Sequence, residues 1–404
     1  MKTVKFFPFL LFTCLAVTAT GQVAVSTISD EFPGSGGVKL GSGGKLYIGN
    51  FGQELDNPDG NQVWSLDLAG NRTLFATGLQ GASGNAFDQN GDFYQSNIAG
   101  AKVSKVSAGG GVSTYASTGI SCPVGIVFDQ EDNLYVCNCC GAFENTIRKV
   151  TPSGESTQFA GGSLFSCPNG ITIDPEGNLY VANFNDGRVI RIDPEGNAAV
   201  LAVVPGGNNG HLAYSAADNV LYVNSHGSSR VYRLTLDGEL TIVAGNGLRG
   251  NQDGPGNSAS FSRPNGIAVS ATGDTLFLNS SIPLFDEPAT GFFPLNPSVV
   301  RMITGLQGTT GVSAQGTDAR LLLTHRLSTD GRRLDLLLET PRPLEEGSLL
   351  LLDIRGQVLQ TKLLGSTPSG RHEYSFELAP LPSGIYVYTL QGKEQVISRR
   401  FYLP

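Results

Sequence analysis

Asparagine recurs beside glycine, or closes a short apolar segment, at intervals along this chain. Three asparagines open such segments in the sequences CPNGI, NNGH and RPNGI, and these are Asn169, Asn209 and Asn265. Others close the segments that return, namely Asn50, Asn97, Asn138 and Asn183. Amide oxygens bind Ca²⁺ when carboxylates join them. Asn169 and Asn265, with Glu54 and Asp286, are therefore candidate metal ligands. The competing interpretation is that these asparagines hold turn backbone and fix strand ends.

Histidine chemistry is confined to two positions in the first 304 residues, His211 and His226. His211 follows Asn209-Gly210, so we expect it near the asparagines, either as a general base or in a structural role. A zinc site built from several histidines does not fit so small a set. The chain also lacks a GxSxG motif and a Walker-type Lys-Ser/Thr, which argues against a serine nucleophile and a phosphate cradle.

Cysteine is concentrated in one stretch of the chain. Five of the six cysteines lie there: Cys122, Cys137, Cys139, Cys140 and Cys167. In an exported protein the default expectation is disulfides. Their positions favour two bridges and one free thiol without fixing the pairing. A thiolate metal site and free thiols are the alternatives.

A repeat of short strands must position these residues. Within each repeat one strand returns as Leu-Tyr-Val-x-Asn or a close variant. These strands begin at Leu46, Phe93, Leu134, Leu179, Leu221 and Leu276. Such a period, with four short strands per unit, is typical of the blades of a β-propeller. The clearest copy, in residues 167–196, predicts strands at 171–174, 179–183, 188–192 and 198–203. The fold class is therefore all-β, with six blades.

The sixth blade lacks a fourth strand in sequence order. Residues 23–29 (VAVSTIS) resemble the fourth strands of other blades and stand just ahead of the first one. We expect this segment to complete blade 6, because that pairing removes an exposed sheet edge and closes the ring.

Strand polarity sorts the connections by face. Those between strands one and two, and between three and four, are tight turns. The irregular segments all fall on the opposite face, which we call the upper face, at residues 51–61, 139–145, 246–265 and 280–297. Long loops on a rigid frame are where binding residues usually lie. Phe285, Phe292 and Phe293 are candidate ligand contacts in the last segment, unless they fold onto the blade.

Two families of propeller resemble this chain. Residues 242–279, with Ala244-Gly245, Asp253-Gly254, Ala259, Phe261 and Pro264 in order, resemble the NHL repeat, and this likeness covers about residues 33–304. The SMP-30 and gluconolactonase propellers hold a metal with one Glu, one Asp and an Asn in an Asn-Gly entry. Asn169, Asn209 and Asn265 match only that Asn-Gly element, and no acidic pair can be assigned.

The N-terminus and the charge balance bear on location. Residues 1–21 combine Lys2 and Lys5 with an apolar run and a small-residue site, which predicts a secretory signal peptide. No later stretch is apolar enough to span a membrane. The formal net charge is −8, without a Lys/Arg cluster, which argues against nucleic acid as a partner. We therefore expect a protein that is secreted or held on the outer cell surface.

The C-terminal part reads as a second domain. Residues 305–318 form a Gly/Thr/Ser-rich linker, and seven alternating strands in 319–404 predict a small β-sandwich. Asp353-Ile354-Arg355-Gly356, Gly384-Ile385-Tyr386-Val387 and Arg399-Arg400 resemble the sorting domain of the bacterial type IX secretion system. The resemblance implies export by that machinery and removal of the domain by its processing protease. An ordinary accessory sandwich is the alternative.

Together these features predict an NHL-like propeller, residues 22–304, that binds a protein or glycan through its upper face. The ligand-binding candidates are Asn169, Asn183, Asn209, His211, Asn265, Phe285, Phe292 and Phe293. The alternative is a metal-assisted hydrolase or lactonase that uses the same face, with Ca²⁺ as the candidate cofactor. A scaffold with no ligand is the third option.

Overall fold

The computed structural model describes residues 22–282, 295–306, 322–328, 332–340, 343–353, 357–378, 381–392 and 396–403. These residues are almost entirely β-structure. The helical element among them is a 3₁₀ turn at Gly141–Phe143, and no described helix is long and apolar enough to cross a membrane. The predicted signal peptide and most of the predicted linker lie outside the described residues.

Five antiparallel sheets of four strands form the first five blades of a six-bladed β-propeller. Blade 1 is β2 (Val38–Leu40), β3 (Leu46–Gly49), β4 (Gln62–Leu66) and β5 (Arg72–Thr77). Blade 2 is β6 (Ala82–Phe87), β7 (Phe93–Asn97), β8 (Lys102–Val106) and β9 (Val112–Ala116). Blade 3 is β10 (Pro123–Phe128), β11 (Leu134–Asn138), β12 (Thr146–Val150) and β13 (Ser156–Gly161). Blade 4 is β14 (Pro168–Ile173), β15 (Leu179–Asn183), β16 (Arg188–Ile192) and β17 (Ala198–Val203). Blade 5 is β18 (Asn209–Ser215), β19 (Val220–Ser225), β20 (Arg230–Thr235) and β21 (Leu240–Ala244).

A repeated side-chain motif forms the tight turns on the face opposite the upper face, which we call the lower face. In blade 4 the carboxylate of Asp174 accepts the backbone N–H of Asn178 at 2.8 Å and its side-chain amide at 2.8 Å. The same carboxylate accepts the hydroxyl of Tyr180 at 2.9 Å. Gly177 supplies the positive φ of 84° that the turn needs. The recurrent Asp and Asn of these hairpins are therefore used for chain reversal.

A ring of six glycines lets the innermost strands converge around the central channel. A Cβ on any of them would come within 2.3–2.7 Å of the next blade. The glycines are Gly36, Gly84, Gly125, Gly170, Gly210 and Gly266. Real Cβ atoms do not approach so closely, so a side chain here would push adjacent blades apart. The Gly of each Asn-Gly entry is thus explained by blade packing alone.

Blade 6 is closed by the N-terminal strand, as the sequence predicts. Its sheet has the order β22 (Gly254–Pro255), β1 (Ala24–Phe32), β25 (Ser298–Thr304), β24 (Thr275–Ser281) and β23 (Ile267–Val269). β1 pairs antiparallel with β25, placing Val25 opposite Ile303 and Thr27 opposite Arg301. Leu306 is also fully buried in the core of this blade, so propeller packing continues two residues past the predicted boundary.

The C-terminal domain has the seven strands that the sequence predicts, arranged in two sheets. One sheet has the order β26 (Leu322–Leu327), β27 (Arg333–Thr340) and β30 (Gly370–Glu377). The other has the order β29 (Val358–Thr367), β28 (Leu344–Asp353), β31 (Gly384–Gln391) and β32 (Val396–Leu403). Leucines and aromatic residues from both sheets share one core, which includes Leu336, Leu351, Tyr388 and Phe401. Residues 354–356, part of the motif that resembles a sorting domain, and the side chains of Arg399 and Arg400 lie outside the described residues.

Candidate functional site

The predicted asparagines lie at the upper mouth of the channel and link neighbouring blades. The amide of Asn169 in blade 4 donates to the carbonyl of Asn209 in blade 5 at 2.9 Å. The backbone N–H of His211 donates to the carbonyl of Asn265 in blade 6 at 2.9 Å. The amide of Asn265 then donates to Ser35 O, at the entry to blade 1, at 2.7 Å. These residues therefore hold blades 4, 5, 6 and 1 together.

The mouth also contains buried polar atoms without a hydrogen-bond partner. Three are amide oxygens, those of Asn183, Asn209 and Asn224, and a fourth is Nε2 of His211. The residues that bear them are at most 8% exposed. Buried polar groups are normally satisfied, so each such atom is available to a water or a ligand.

Both propeller histidines remain neutral near pH 7. Burial is the main cause that lowers the pKa of His211 to about 4, and the charge of Lys39 adds to it. Burial likewise lowers the pKa of His226 to about 4, although the hydrogen bond that its ring donates to Asn265 opposes that shift. His226 Nε2 lies 3.4 Å from Asn265 Oδ1, and its ring meets Phe184 edge-on at 5.5 Å between centroids. The two imidazoles of the mouth are therefore neutral, although charged side chains lie nearby. Arg263 lowers the pKa of His226 through its charge, and Asp186, which accepts the amide of Asn183, is paired with Arg188.

The candidate metal ligands do not come together as a carboxylate-rich site. Asn169 and Asn265 use their amide nitrogens to join blades, whereas Glu54 is exposed in the 51–61 segment. Asp286 lies outside the described residues. Across the described part of the chain, no three His, Cys, Asp or Glu side chains are close enough to hold a metal ion. The described residues therefore do not fit a Ca²⁺ or Zn²⁺ centre, since Ca²⁺ needs carboxylate oxygens and Zn²⁺ needs several His, Cys or carboxylate ligands together.

The cysteines form two disulfides, and their pairing ties one loop to two blades. Cys122 pairs with Cys140, and Cys139 pairs with Cys167. Cys137 is the buried free thiol, as the expected two bridges and one thiol require. The adjacent Cys139 and Cys140 are not bonded to each other, and the four paired thiols are not available as metal ligands. Two neighbouring residues of one loop are thus fixed to the first strands of blades 3 and 4.

The segment that follows, residues 139–145, which we call the pinned loop, presents an aromatic side chain to solvent. Phe143 is 42% exposed, and the guanidinium of Arg148 lies 5.8 Å from its ring centroid. The backbone N–H of Phe143 donates to Ser121 Oγ at 3.0 Å, and that hydroxyl donates to Cys140 O at 2.7 Å. The sequence places this loop on the upper face but gives no signal that Phe143 is its exposed aromatic residue.

Segment 246–265, which we call the closing loop, serves the fold as well as the surface. Ala259 and Phe261 are fully buried in the core of blade 6. The guanidinium of Arg301 is completely buried, 5.2 Å from the Phe261 ring centroid, and pairs with Asp253 at 2.5 Å. Asp253 also accepts the backbone N–H of Thr27 at 2.9 Å. The NHL-like residues of this loop therefore lock the N-terminal strand into the last blade.

The remaining predicted segments are described only in part. Residues 53–57 are exposed, and Asn296 anchors their base by donating to the carbonyl of Gly52 at 2.6 Å. Phe285, Phe292 and Phe293 lie outside the described residues.

Comparison with known proteins places the fold within a broad group. Residues 142–227 match the model of the SMP-30/Gluconolactonase/LRE-like region. No curated protein gives a significant match.

Similar solved structures that cover 70% of the chain include the following three. One is a protein of unknown function from Bacteroides thetaiotaomicron, with TM-score 0.56, 14% identity and 76% of its own length covered. Another is an auxiliary nutrient binding protein from the same organism, with TM-score 0.54, 13% identity and 76% of its length covered. The third is a gluconolactonase from Xanthomonas campestris, with TM-score 0.51, 14% identity and 89% of its length covered. Identities this low show a shared propeller fold and nothing about ligands.

Proposed function

We propose that this protein is a secreted or cell-surface binding module that holds a glycan on the upper face of its propeller. The pinned loop and the polar channel mouth form the binding surface. The fold is shared with a nutrient binding protein and with a gluconolactonase, so it accommodates binding and catalysis alike. Choosing between these functions depends on the residues of this chain.

The observation that carries the proposal is the double anchoring of the pinned loop. Cys139 and Cys140 are fixed to different blades, through Cys167 and Cys122, so the loop is rigid before any ligand arrives. A preformed loop loses little conformational entropy on binding. Within it, Phe143 is exposed rather than packed into a core. An exposed aromatic ring on a rigid support favours ligand contact.

The chemistry of the mouth favours a neutral, hydrogen-bonding ligand. Its polar groups include amides and uncharged imidazoles, and the residues that carry the unpartnered atoms are buried. The carboxylate of Asp186 is already paired with Arg188. Sugars combine hydroxyl groups with an apolar ring face that stacks on aromatic side chains. A glycan therefore suits the surface better than a strongly charged partner would.

A glycan-binding screen with matched variants tests the proposal. We expect the full chain to bind at least one neutral polysaccharide, and Phe143→Ala to weaken that binding about tenfold. Leu68→Ala is the matched control, because Leu68 is 53% exposed in a tight turn of the lower face. Equal affinity of Phe143→Ala and the wild type for the polysaccharide would show that the pinned loop is not part of the binding site.

A lactonase is the second candidate, favoured by the family match, because residues 142–227 include Asn169 and Asn209. Metal analysis and lactone hydrolysis, each with and without a chelator, discriminate between the two functions. Stoichiometric bound metal with chelator-sensitive hydrolysis would favour the enzyme. A metal-free protein without lactonase activity would support the binding module.

We also propose that the type IX secretion machinery exports the chain and that its processing protease removes the C-terminal sandwich. The sandwich has its own core, as expected of a separable address domain. Deleting residues 385–404, which supply its last two strands, should retain the protein inside the cell, whereas Leu68→Ala should be exported normally. Normal export of the truncated chain would contradict this proposal.

A further inference from the structure

The central channel contains a cavity of about 180 Å³ below the upper mouth. The first strands of the blades line it, and strand pairing places one residue of each blade at the same level. The six positions at this level, in blade order, are Lys39, Ala86, Val127, Thr172, Ala213 and Ala268. The neighbouring level carries Val38, Asn85, Ile126, Ile171, Leu212 and Ile267. Lys39 is therefore the charged residue among these twelve positions. The other five residues of its own level are small or apolar.

Lys39 has no carboxylate partner among the described residues. It is part-buried, and none of the ion pairs between described residues involves it. Burial lowers the pKa of its amine, and no acidic group opposes that shift. A desolvated ammonium without a counter-ion is costly, and an anion in the cavity would reduce that cost.

His211 supplies a second polar group at the same cavity. His211 is among the residues that line the cavity, and its Nε2 has no hydrogen-bond partner. Burial lowers the pKa of His211, and the charge of Lys39 lowers it further. A neutral imidazole can donate one hydrogen bond to an acceptor. The cavity thus pairs a cationic donor with a neutral donor.

We propose that the central channel binds a small carboxylate anion, with Lys39 as the charged contact and His211 as the neutral one. Two donors suit the two oxygens of a carboxylate, and the small residues Thr172, Ala213 and Ala268, which line the same cavity, leave room for an acetate-sized molecule. The site shares His211 with the polar channel mouth, but its charged contact, Lys39, has no part in the glycan proposal. The inference therefore goes beyond the glycan function.

Calorimetric titration of the full chain with sodium acetate, at constant ionic strength, tests the site. We expect saturable binding by the wild type and at least about tenfold weaker binding by Lys39→Met. Lys45→Met is the matched control, because Lys45 is exposed in the same β2–β3 hairpin and its loss changes net charge equally. Lys39→Gln serves as a second variant that keeps a polar group and guards against a packing artefact of methionine.

The outcomes separate clearly. Acetate binding that survives in Lys45→Met and fails in both Lys39 variants supports the site. No saturable acetate binding by the wild type, or equal loss in Lys39→Met and Lys45→Met, overturns it. Inorganic phosphate provides the second probe, and phosphate binding as tight as acetate binding would overturn the carboxylate class. Unchanged glycan binding in Lys39→Met would show that the two sites are independent.

Discussion

The pinned loop (139–145) and the closing loop (246–265) interrupt the same repeat on the same face, yet they are held in opposite ways. The closing loop is anchored by side chains, since Phe261 and Ala259 are fully buried and Arg301 lies against Phe261. The pinned loop is anchored by two covalent bonds near its base, and Phe143 remains exposed. A side chain that anchors its loop by packing is not available to a ligand. Disulfide anchors leave the other side chains of the loop free to contact one.

This difference separates two reasons why a loop can be long. The closing loop is long because it must add β22 beside β1 and bring Asp253 to Arg301. Its length therefore serves ring closure. The pinned loop has no such duty, so its exposed ring is the better candidate for binding.

Replacing one phenylalanine in each loop by alanine should give the largest difference in the free energy of unfolding. Phe261→Ala should lower the free energy of unfolding by about 3–5 kcal/mol, because it leaves a cavity in blade 6 and removes the ring beneath Arg301. Phe143→Ala should change it by less than about 0.5 kcal/mol, as expected at an exposed position. Urea denaturation of both variants measures the contrast, and similar losses would abolish the distinction.

Removing the disulfide between Cys139 and Cys167, with both residues changed to serine, should cost about 2–4 kcal/mol of unfolding free energy. The bond spans 28 residues and constrains the unfolded chain accordingly. The same variant should weaken glycan binding, because the pinned loop loses one anchor. Thermal melts of the wild type and of the double serine variant check the effect. The wild type and Asp253→Asn are also melted with and without reducing agent. Reductant should destabilise Asp253→Asn as much as it destabilises the wild type.

The histidines beside the closing loop should make the mouth sensitive to acid. Folding lowers the pKa of His211 and of His226 from the usual 6.5 to about 4. The unfolded chain therefore takes up protons first as the pH falls. Their contribution to stability is fully present above about pH 6.5 and is lost as the pH drops towards about 4, by about 2 kcal/mol per histidine between pH 6.5 and 5.

Urea midpoints measured between about pH 7 and 5 test this dependence. The double variant His211→Gln, His226→Gln should flatten the curve, and His372→Gln on the sandwich should not. A wild-type curve without slope in this range would contradict the assignment of neutral buried histidines.

Asp253→Asn should cost about 1–3 kcal/mol of unfolding free energy. It leaves the buried guanidinium of Arg301 without its counter-ion, but Asp253 is 45% exposed, so the loss stays below that of a fully buried pair. Asp237→Asn, at an exposed turn, is the control. Limited proteolysis near residues 24–32 would report whether the N-terminal strand detaches. Equal stability of Asp253→Asn and Asp237→Asn would show that the ion pair between Asp253 and Arg301 is not needed to hold the N-terminal strand.

The fold was largely predictable because it depends on features of neighbouring residues, namely apolar alternation and turn-forming residues. Leu179–Asn183, Arg188–Ile192 and Ala198–Val203 have the bounds that alternation and turn residues predict. The closing strand was predictable because a ring cannot leave an edge open. The candidate site was harder, since asparagines that resemble ligands prove to donate between blades. In the sequence, Lys39 differs from the small or apolar residues at the same position of the other blades. That difference can be interpreted only when the strand is known to line the channel.

The sequence by itself determined the number of blades, the strand that closes them, the oxidised cysteines and the two-domain order. These depend on local turn chemistry, on periodicity and on the closure of a ring. Tertiary structure alone decided which cysteines pair, which of two similar loops is buried, and that Lys39 lies at the channel without a carboxylate. Those outcomes depend on distances between residues far apart in the chain, and such distances exist only once the blades have packed around their ring of glycines.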